Sequence, residues 1–131
     1  MEWTGECFCG TVKYVIRGRI FAARSCHCSR CRKAFSAQAS AYAQIDPGSL
    51  TWLSGAERLT EFTGAHGTGK LFCSVCGSTL CGVVAGQVHG ITLGCLNEAP
   101  ADLVVTTHIF VGSKATWEKL PADIEAHEGF P

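Results

Sequence analysis

Seven of the nine cysteines in this 131-residue chain fall into three short clusters. Thiols two or three residues apart can reach one metal ion without help from distant parts of the chain. The odd total and this tight spacing favour metal ligation over a disulfide framework. Zinc is the metal that such cysteine sets usually bind. The clusters are Cys7-Phe8-Cys9, Cys26-His27-Cys28-Ser29-Arg30-Cys31 and Cys73-Ser74-Val75-Cys76.

Two of the clusters supply two thiols each and together predict a closed site. Cys73-Ser74-Val75-Cys76-Gly77 has the pattern of a zinc knuckle, in which glycine accepts an unusual backbone angle. Cys7 and Cys9 lie two residues apart, so in extended chain their side chains can point the same way. Four thiolates from these pairs would form a structural zinc site that clips the two segments together and contributes to folding.

The third cluster offers three thiols, Cys26, Cys28 and Cys31, and predicts a second zinc site. A zinc ion with three protein ligands keeps its fourth position free for water or substrate, which indicates a catalytic rather than a structural site. Cys81 or Cys95 could instead complete this site with a fourth thiolate. We favour the alternative that both are buried as small hydrophobic residues.

His27 stands between two predicted ligands and is expected to point away from the metal. The residues that follow, Arg32-Lys33-Ala34-Phe35, predict a short helix with Ser29 as its N-cap. Its first backbone N–H groups would face the thiolates, and Arg30, Arg32 and Lys33 would add positive charge.

Composition limits the classes of function. The chain is 47% hydrophobic and 17% charged, which is typical of a compact fold, and its 11 basic and 11 acidic residues give no surplus for nucleic-acid binding. No apolar run approaches the length of a membrane span, and the first residues lack a signal-peptide pattern. The sequence therefore predicts a cytoplasmic protein in which the thiols stay reduced.

Hydrophobic patterning predicts a mainly β fold with few short helices, in a single domain covering residues 1–131. A polar stretch after Pro121 is a second helix candidate. His108, Lys114 and Trp117 could line a pocket, with Trp117 more simply expected in the core. The predicted strands are a segment ending near Ile16, then residues 39–45, 50–53, 58–62, 78–84, 91–96 and 103–111.

Gly64-Ala65-His66-Gly67-Thr68-Gly69-Lys70 begins like a phosphate-binding loop. Leu71 stands where the magnesium-binding serine or threonine should be, and a zinc knuckle follows instead of a helix. We interpret the segment as a surface turn.

Four segments resemble the glutathione-dependent formaldehyde-activating enzyme family, which includes the centromere protein V type domain. The resemblance spans nearly the whole chain. The segments are Cys7-Phe8-Cys9-Gly10-Thr11-Val12-Lys13-Tyr14, Cys26-His27-Cys28-Ser29-Arg30-Cys31-Arg32-Lys33, Cys73-Ser74-Val75-Cys76-Gly77-Ser78-Thr79-Leu80 and His108-Ile109-Phe110-Val111-Gly112-Ser113-Lys114. One departure is Ser36, because the family often has glycine near this position.

The resemblance implies a small zinc-stapled β-tent fold with a structural zinc on the four-thiol set and a more labile zinc on the three-thiol set. It also implies an enzyme of the carbon-sulfur lyase type, similar to S-(hydroxymethyl)glutathione synthase, with glutathione as co-substrate and formaldehyde as electrophile. Arg30, Arg32 or Lys33 would then contact the carboxylates of glutathione.

Two other functions stay open at this point. The chain could be a non-catalytic binding or scaffold module with two structural zincs, as the centromere-type relatives suggest. A nucleic-acid-binding zinc ribbon would need a basic and aromatic surface that the composition does not indicate. The sequence leaves the oligomeric state undetermined.

Overall fold

The computed structural model describes residues 1–131, and the chain divides into two compact units. Unit 1 contains Met1–Phe21 and Ala43–Leu103, and unit 2 contains Ala22–Tyr42 and Val104–Pro131. The assignment of residues 1–131 to one domain stays a prediction.

The prediction of a mainly β fold is confirmed, with 42% of the residues in strands and 12% in helices. No helix has the length and apolar composition needed to cross a bilayer. In chain order the elements are β1 (Glu2–Glu6), β2 (Lys13–Arg17), β3 (Ile20–Cys26), α1 (Ser29–Phe35), β4 (Tyr42–Ile45), β5 (Leu50–Ser54), β6 (Leu59–Thr63), β7 (Thr68–Cys73), β8 (Thr79–Val84), β9 (Gln87–Thr92), β10 (Thr107–Ile109) and β11 (Glu125–Ala126), with short 3₁₀ turns at Ala56–Arg58, Leu93–Cys95 and Val111–Ser113.

Unit 1 is built mainly from antiparallel strands. β2 lies between β1 and β5 in a three-stranded sheet, and β4, β9, β8, β7 and β6 follow one another in a second sheet. Because β2 is central and carries consecutive β-branched and aromatic residues, Tyr14, Val15 and Ile16 are all buried rather than alternating with exposed positions. Other fully buried side chains of this unit are Val12, Leu80 and Ile91.

Unit 2 combines α1 with three parallel strands. β10 pairs with β3 on one side and with β11 on the other, and His108 lies opposite Ser25 while Ile109 lies opposite Cys26. The pairing places the end of β3, and with it the start of the three-thiol cluster, beside β10. Ile109 and Ala115 are buried in this unit.

Several predicted elements differ from the observed ones. The prediction of a C-terminal helix after Pro121 is wrong, since this stretch contains only the short strand β11. Of the strand predicted over 103–111 only Thr107–Ile109 forms, and the one over 91–96 ends at Thr92 and gives way to a 3₁₀ turn at Leu93–Cys95. Gly-rich residues after β6 do form a turn, but Thr68–Cys73 then continues as β7.

Candidate metal centres

The four-thiol cluster predicted from the sequence is assembled in unit 1. The sulfur atoms of Cys7, Cys9, Cys73 and Cys76 all lie within 4.8 Å of one another. Cys7 and Cys9 precede β2, whereas Cys73 ends β7 and Cys76 lies in the turn before β8. Two local segments far apart in the chain therefore meet at one point.

The two segments use similar backbone turns to present their thiols. The N–H of Gly10 donates to the carbonyl of Cys7 at 3.0 Å, and the N–H of Gly77 donates to the carbonyl of Cys73 at 2.8 Å. Both glycines have positive φ, +79° and +82°, which a residue with a Cβ adopts only at a cost. The turns explain why each thiol pair is followed by glycine.

The sulfur separations fit a tetrahedral zinc ion. Cys7 Sγ lies 3.6 Å from Cys9 Sγ, and Cys9 Sγ lies 3.9 Å from Cys73 Sγ. A zinc–sulfur bond of about 2.3 Å in tetrahedral geometry puts sulfurs about 3.8 Å apart. The four cysteines therefore fit the structural zinc ion that the sequence predicts.

Hydrogen bonds around the four thiols favour their ionised forms at two positions. The bond between Cys76 Sγ and Ser78 Oγ, 3.2 Å long, lowers the pKa of Cys76 to about 5. Thr11 Oγ1 lies 3.1 Å from Cys9 Sγ and lowers the pKa of Cys9. Burial acts in the opposite direction at Cys7, whose pKa rises to about 11. A bound metal cation would counteract this rise in the pKa of Cys7, because it stabilises the thiolate.

The three-thiol cluster lies in unit 2, at the junction of β3 and α1. Cys26 ends β3, Cys28 precedes α1 and Cys31 lies in its first turn, and their sulfur atoms lie within 4.8 Å of one another. All three are half-buried. The separation fits three thiolates around one metal ion.

Cys28, and not Ser29 as predicted, is the N-cap of α1. Its sulfur accepts a hydrogen bond from the N–H of Cys31 at 3.3 Å, and its carbonyl accepts one from the N–H of Arg32 at 3.0 Å. The start of the helix thus donates to a sulfur of the three-thiol cluster, as the sequence led us to expect.

The contact between Cys26 and Cys31 shifts the pKa values of these two thiols in opposite directions. The hydrogen bond with Cys31 lowers the pKa of Cys26 to about 6, while the same contact, together with burial, raises the pKa of Cys31. Their close approach therefore leaves a proton on Cys31 when Cys26 is ionised. Metal binding would displace that proton.

Neither Cys81 nor Cys95 belongs to either cluster, which is the arrangement that the sequence favoured. Cys81 is fully buried, and burial raises its pKa to about 12. Cys95 is half-buried, and its thiol donates to the carbonyl of Thr79 at 3.6 Å. The three-thiol cluster therefore has no fourth cysteine ligand from its own chain.

The predicted cationic residues all lie on α1, directly after Cys28. Arg30 and Lys33 are exposed, and Arg32 is half-buried. The Nε of Arg32 is buried without a hydrogen-bond partner in the chain. A buried N–H donor lowers the stability of the fold unless a hydrogen-bond acceptor reaches it.

His27 is not among the metal-ligating atoms, in agreement with the expectation that it points away from the cluster. Its ring is 1% exposed and lies between two other titratable side chains. Its Nε2 lies 2.9 Å from Nδ1 of His108, and its Nδ1 lies 3.0 Å from Oε1 of Glu118. The contact with Glu118 has ion-pair distance but not the angle of a hydrogen bond.

Glu118 also lies beside His27, but the sequence did not indicate that it belongs to this site. It stands in a polar stretch that has no regular periodicity, so no pattern indicated a buried carboxylate. His108 was recognised as a polar residue near the end of a strand, but its contact with His27 depends on the pairing of β10 with β3. Trp117, expected in the core, is 71% exposed.

Comparison with known proteins relates the chain to one family and to solved structures. The model of the family described as glutathione-dependent formaldehyde-activating enzyme matches residues 2–113. The crystal structure of a Rhodobacter sphaeroides protein, a structural genomics target, is 26% identical with a TM-score of 0.56, covering 75% of this chain and 91% of that chain. No curated protein matches the sequence.

Proposed function

Because the chain belongs to the glutathione-dependent formaldehyde-activating enzyme family, we propose that it joins glutathione and formaldehyde to form S-hydroxymethylglutathione. In this reaction the thiol sulfur forms a bond to the aldehyde carbon, and the thiol proton ends on the former carbonyl oxygen. The reverse reaction breaks a carbon-sulfur bond, which makes the enzyme a lyase by class. Family membership supports a formaldehyde-activating function in general, and the substrate pair is our proposal.

The observation that carries this proposal is the number of thiols in the second cluster. Cys26, Cys28 and Cys31 converge, and no fourth cysteine joins them. When bound, a zinc ion would supply an open coordination position that favours the ionised form of an incoming thiol, whose free pKa is about 8.5. The protein's own part is to hold three sulfurs in place, with the N–H of Cys31 directed at Cys28 Sγ.

The four-thiol cluster has a different proposed role. Cys7, Cys9, Cys73 and Cys76 provide four ligands, so a zinc ion there would have no free position. We propose that a zinc ion at this cluster stabilises the fold and takes no part in the reaction. All nine cysteines are free thiols, and two thiolate sites of this kind would need a reducing compartment such as the cytoplasm.

The cationic side chains on α1 are proposed to bind the substrate. Glutathione carries two carboxylates, and Arg30, Arg32 and Lys33 lie in or next to the turn that follows the ligand Cys28. Arg32 is the best candidate because its buried Nε lacks a partner. Arg32→Met should raise the KM for glutathione about tenfold with a smaller change in kcat, whereas Arg58→Met, an exposed arginine of unit 1, should change neither.

The catalytic proposal is tested with labelled formaldehyde. Zinc-loaded protein is added to glutathione and ¹³C-formaldehyde, and exchange spectroscopy measures the rate at which the adduct forms and dissociates. The wild-type protein should accelerate exchange over the uncatalysed reaction. Cys28→Ala should abolish the acceleration, and Cys95→Ala, which removes a thiol outside both clusters, should keep it. Absence of acceleration by the wild-type protein would overturn the proposal.

The scaffold alternative predicts another outcome of the same experiment. A binding module with two structural zincs would leave the exchange rate at its uncatalysed value, and glutathione would not alter the coordination of either metal. Zinc X-ray absorption spectra with and without glutathione distinguish the two functions, because an added sulfur ligand changes the second site only in the enzyme.

A further inference from the structure

We propose that Glu118 is a positioning residue that holds the turn between Cys26 and Cys28 through the ring of His27. The inference rests on the proposed second metal site. It concerns a segment beyond residues 2–113, the part of the chain that the family model matches. The segment therefore supplies a side chain to the metal-binding region from outside the recognised motif.

The backbone on both sides of His27 is already tied down. The N–H of His27 donates to the carbonyl of Ile109 at 2.9 Å, which joins it to β10. Cys26 and Ser40 exchange two bonds, from the N–H of Cys26 to Ser40 Oγ at 3.2 Å and from the N–H of Ser40 to the carbonyl of Cys26 at 3.0 Å. These bonds leave the side chain of His27 as the next group that can restrain the segment between the two sulfurs.

The ring of His27 is restrained on both edges. Glu118 Oε1 lies 3.0 Å from Nδ1, and His108 Nδ1 lies 2.9 Å from Nε2. Neither His27 Nδ1 nor Glu118 Oε1 has a hydrogen bond to any other group, although both atoms are buried. Each is therefore the nearest available partner that offsets the cost of burying the other.

The backbone that carries Glu118 is held by its own segment. Lys114 Nζ donates to the backbone carbonyl of Glu118 at 2.8 Å and to that of Ala115 at 3.3 Å, and Ala115 is buried. The side chain of Glu118 is only 17% exposed. A lysine that caps two carbonyls fixes the turn that presents Glu118 to His27.

Restraint of His27 has a consequence for metal binding. Cys26 and Cys28 flank this residue, so a ring that is held at both edges restrains the backbone that carries the two sulfurs. A turn that is already ordered loses less conformational entropy when a metal binds. Groups that orient metal ligands in this way typically contribute 10- to 100-fold in metal affinity.

The test compares two glutamates of unit 2 that each contact a histidine. Glu118→Gln removes the negative charge from the buried contact, and the control Glu125→Gln removes it from the exposed contact between Glu125 and His127, which is 2.7 Å long. Zinc affinities of both sites are measured by competition with a chromophoric chelator. We expect Glu118→Gln to weaken the three-thiol site about tenfold or more, to leave the four-thiol site unchanged, and Glu125→Gln to affect neither.

Three results would overturn the proposal. The first is an unchanged zinc affinity of the three-thiol site in Glu118→Gln, and the second is an equal loss of that affinity in Glu125→Gln. The third is a loss of zinc affinity at both sites together with a lower unfolding temperature, which would indicate general destabilisation. If Glu118→Gln does not fold, Lys114→Met provides the second variant, and it should weaken the same site alone.

A metal-free measurement separates this proposal from the proposed function. In metal-free Glu118→Gln, hydrogen exchange at the amides of Cys31 and Arg32 should be faster than in the wild-type protein, because these amides bond to Cys28. Unchanged exchange would overturn the positioning role even if zinc binds. A wild-type protein that binds only one zinc would instead overturn the second site of the proposed function.

Discussion

At the scale of single residues, the backbone stores strain in a few identifiable places. Four non-glycine residues have positive φ, namely Ala22, Ser36, Ala85 and Phe110. Ser36 is the C-cap of α1, at φ 53° and ψ 42°, where its N–H bonds to the carbonyls of Arg32 and Lys33. Glycine is the usual residue in this left-handed position, which is the physical reason for the glycine that the family often has near it.

Ser36→Gly should stabilise the protein by about 0.5–1 kcal/mol. Glycine removes the cost of a left-handed conformation, and the gain is reduced by the greater freedom of the unfolded chain. Chemical denaturation measures the difference.

The neighbouring Ala37 is the control for this substitution. It is not among the residues with positive φ, so Ala37→Gly should be destabilising by a similar amount. A loss of stability in Ser36→Gly would contradict the prediction.

The thiol of Cys81 should make stability depend on alkaline pH. Burial raises its pKa from 9.0 to about 12, so above pH 9 the unfolded thiol releases a proton that the folded thiol keeps. Stability is therefore fully present below pH 9 and falls as pH rises toward the folded pKa. Cys81→Val should remove this loss, which amounts to about 1 kcal/mol per pH unit in that range.

Urea denaturation between about pH 8 and pH 11 tests the Cys81 prediction. The curves of stability against pH should diverge above pH 9 in favour of the valine variant. Parallel curves for the two proteins would show that the buried thiol does not contribute.

At the scale of elements, close packing of strands decides which residues are tolerated. In the pairing of β1 with β2, Gly5 lies opposite Tyr14, whose ring is fully buried. A Cβ added to Gly5 would fall on the ring and hydroxyl of Tyr14. The glycine is required there by the neighbouring ring, and not by a turn.

Gly5→Ala should destabilise the protein by about 1–3 kcal/mol, because Tyr14 has to move within a closely packed region. The matched control is Gly94→Ala, where an added Cβ would meet nothing within 4 Å and φ is not positive. Thermal unfolding should show the loss for the first variant alone. Equal unfolding temperatures for the two variants would contradict the packing argument.

The strand predictions succeeded where a hydrophobic segment is bounded by turn residues. β5, β6 and β8 formed close to their predicted ranges, each between glycine- or serine-containing turns. The predictions failed where tertiary pairing decides, as in the parallel pairing of β10 with β3 and β11. β3 itself was not predicted, since Ala22, Arg24 and Ser25 give no alternation of apolar and polar residues.

At the scale of the whole molecule, the two clusters should differ in what they contribute. The four-thiol cluster joins two segments that are separated by residues 10–72, so a metal there closes a long loop. The three-thiol cluster lies within six residues, so a metal there would close only a very short loop. Metal binding should therefore stabilise the fold mainly through the first cluster.

Cys76→Ala should impair folding, with a loss of at least about 3 kcal/mol, whereas Cys28→Ala should leave a folded protein with one zinc fewer. Metal analysis and circular dichroism on the purified variants measure the two effects. Cys95→Ala is the control and should keep both metals and the fold. Equal loss of solubility in the Cys76 and Cys28 variants would contradict the assignment of a structural and an open site.

By itself the sequence determined the three cysteine clusters, because thiols two or three residues apart converge through local geometry that distant residues hardly influence, whereas the meeting of Cys7 and Cys9 with Cys73 and Cys76 needs the tertiary fold. The mainly β class followed for a similar reason, since short apolar segments between turns have few alternatives. Only the tertiary structure decided that Cys81 and Cys95 stay outside the clusters and that Glu118 meets His27. Those contacts join residues far apart in the chain, and no local pattern encodes which distant side chains burial brings together.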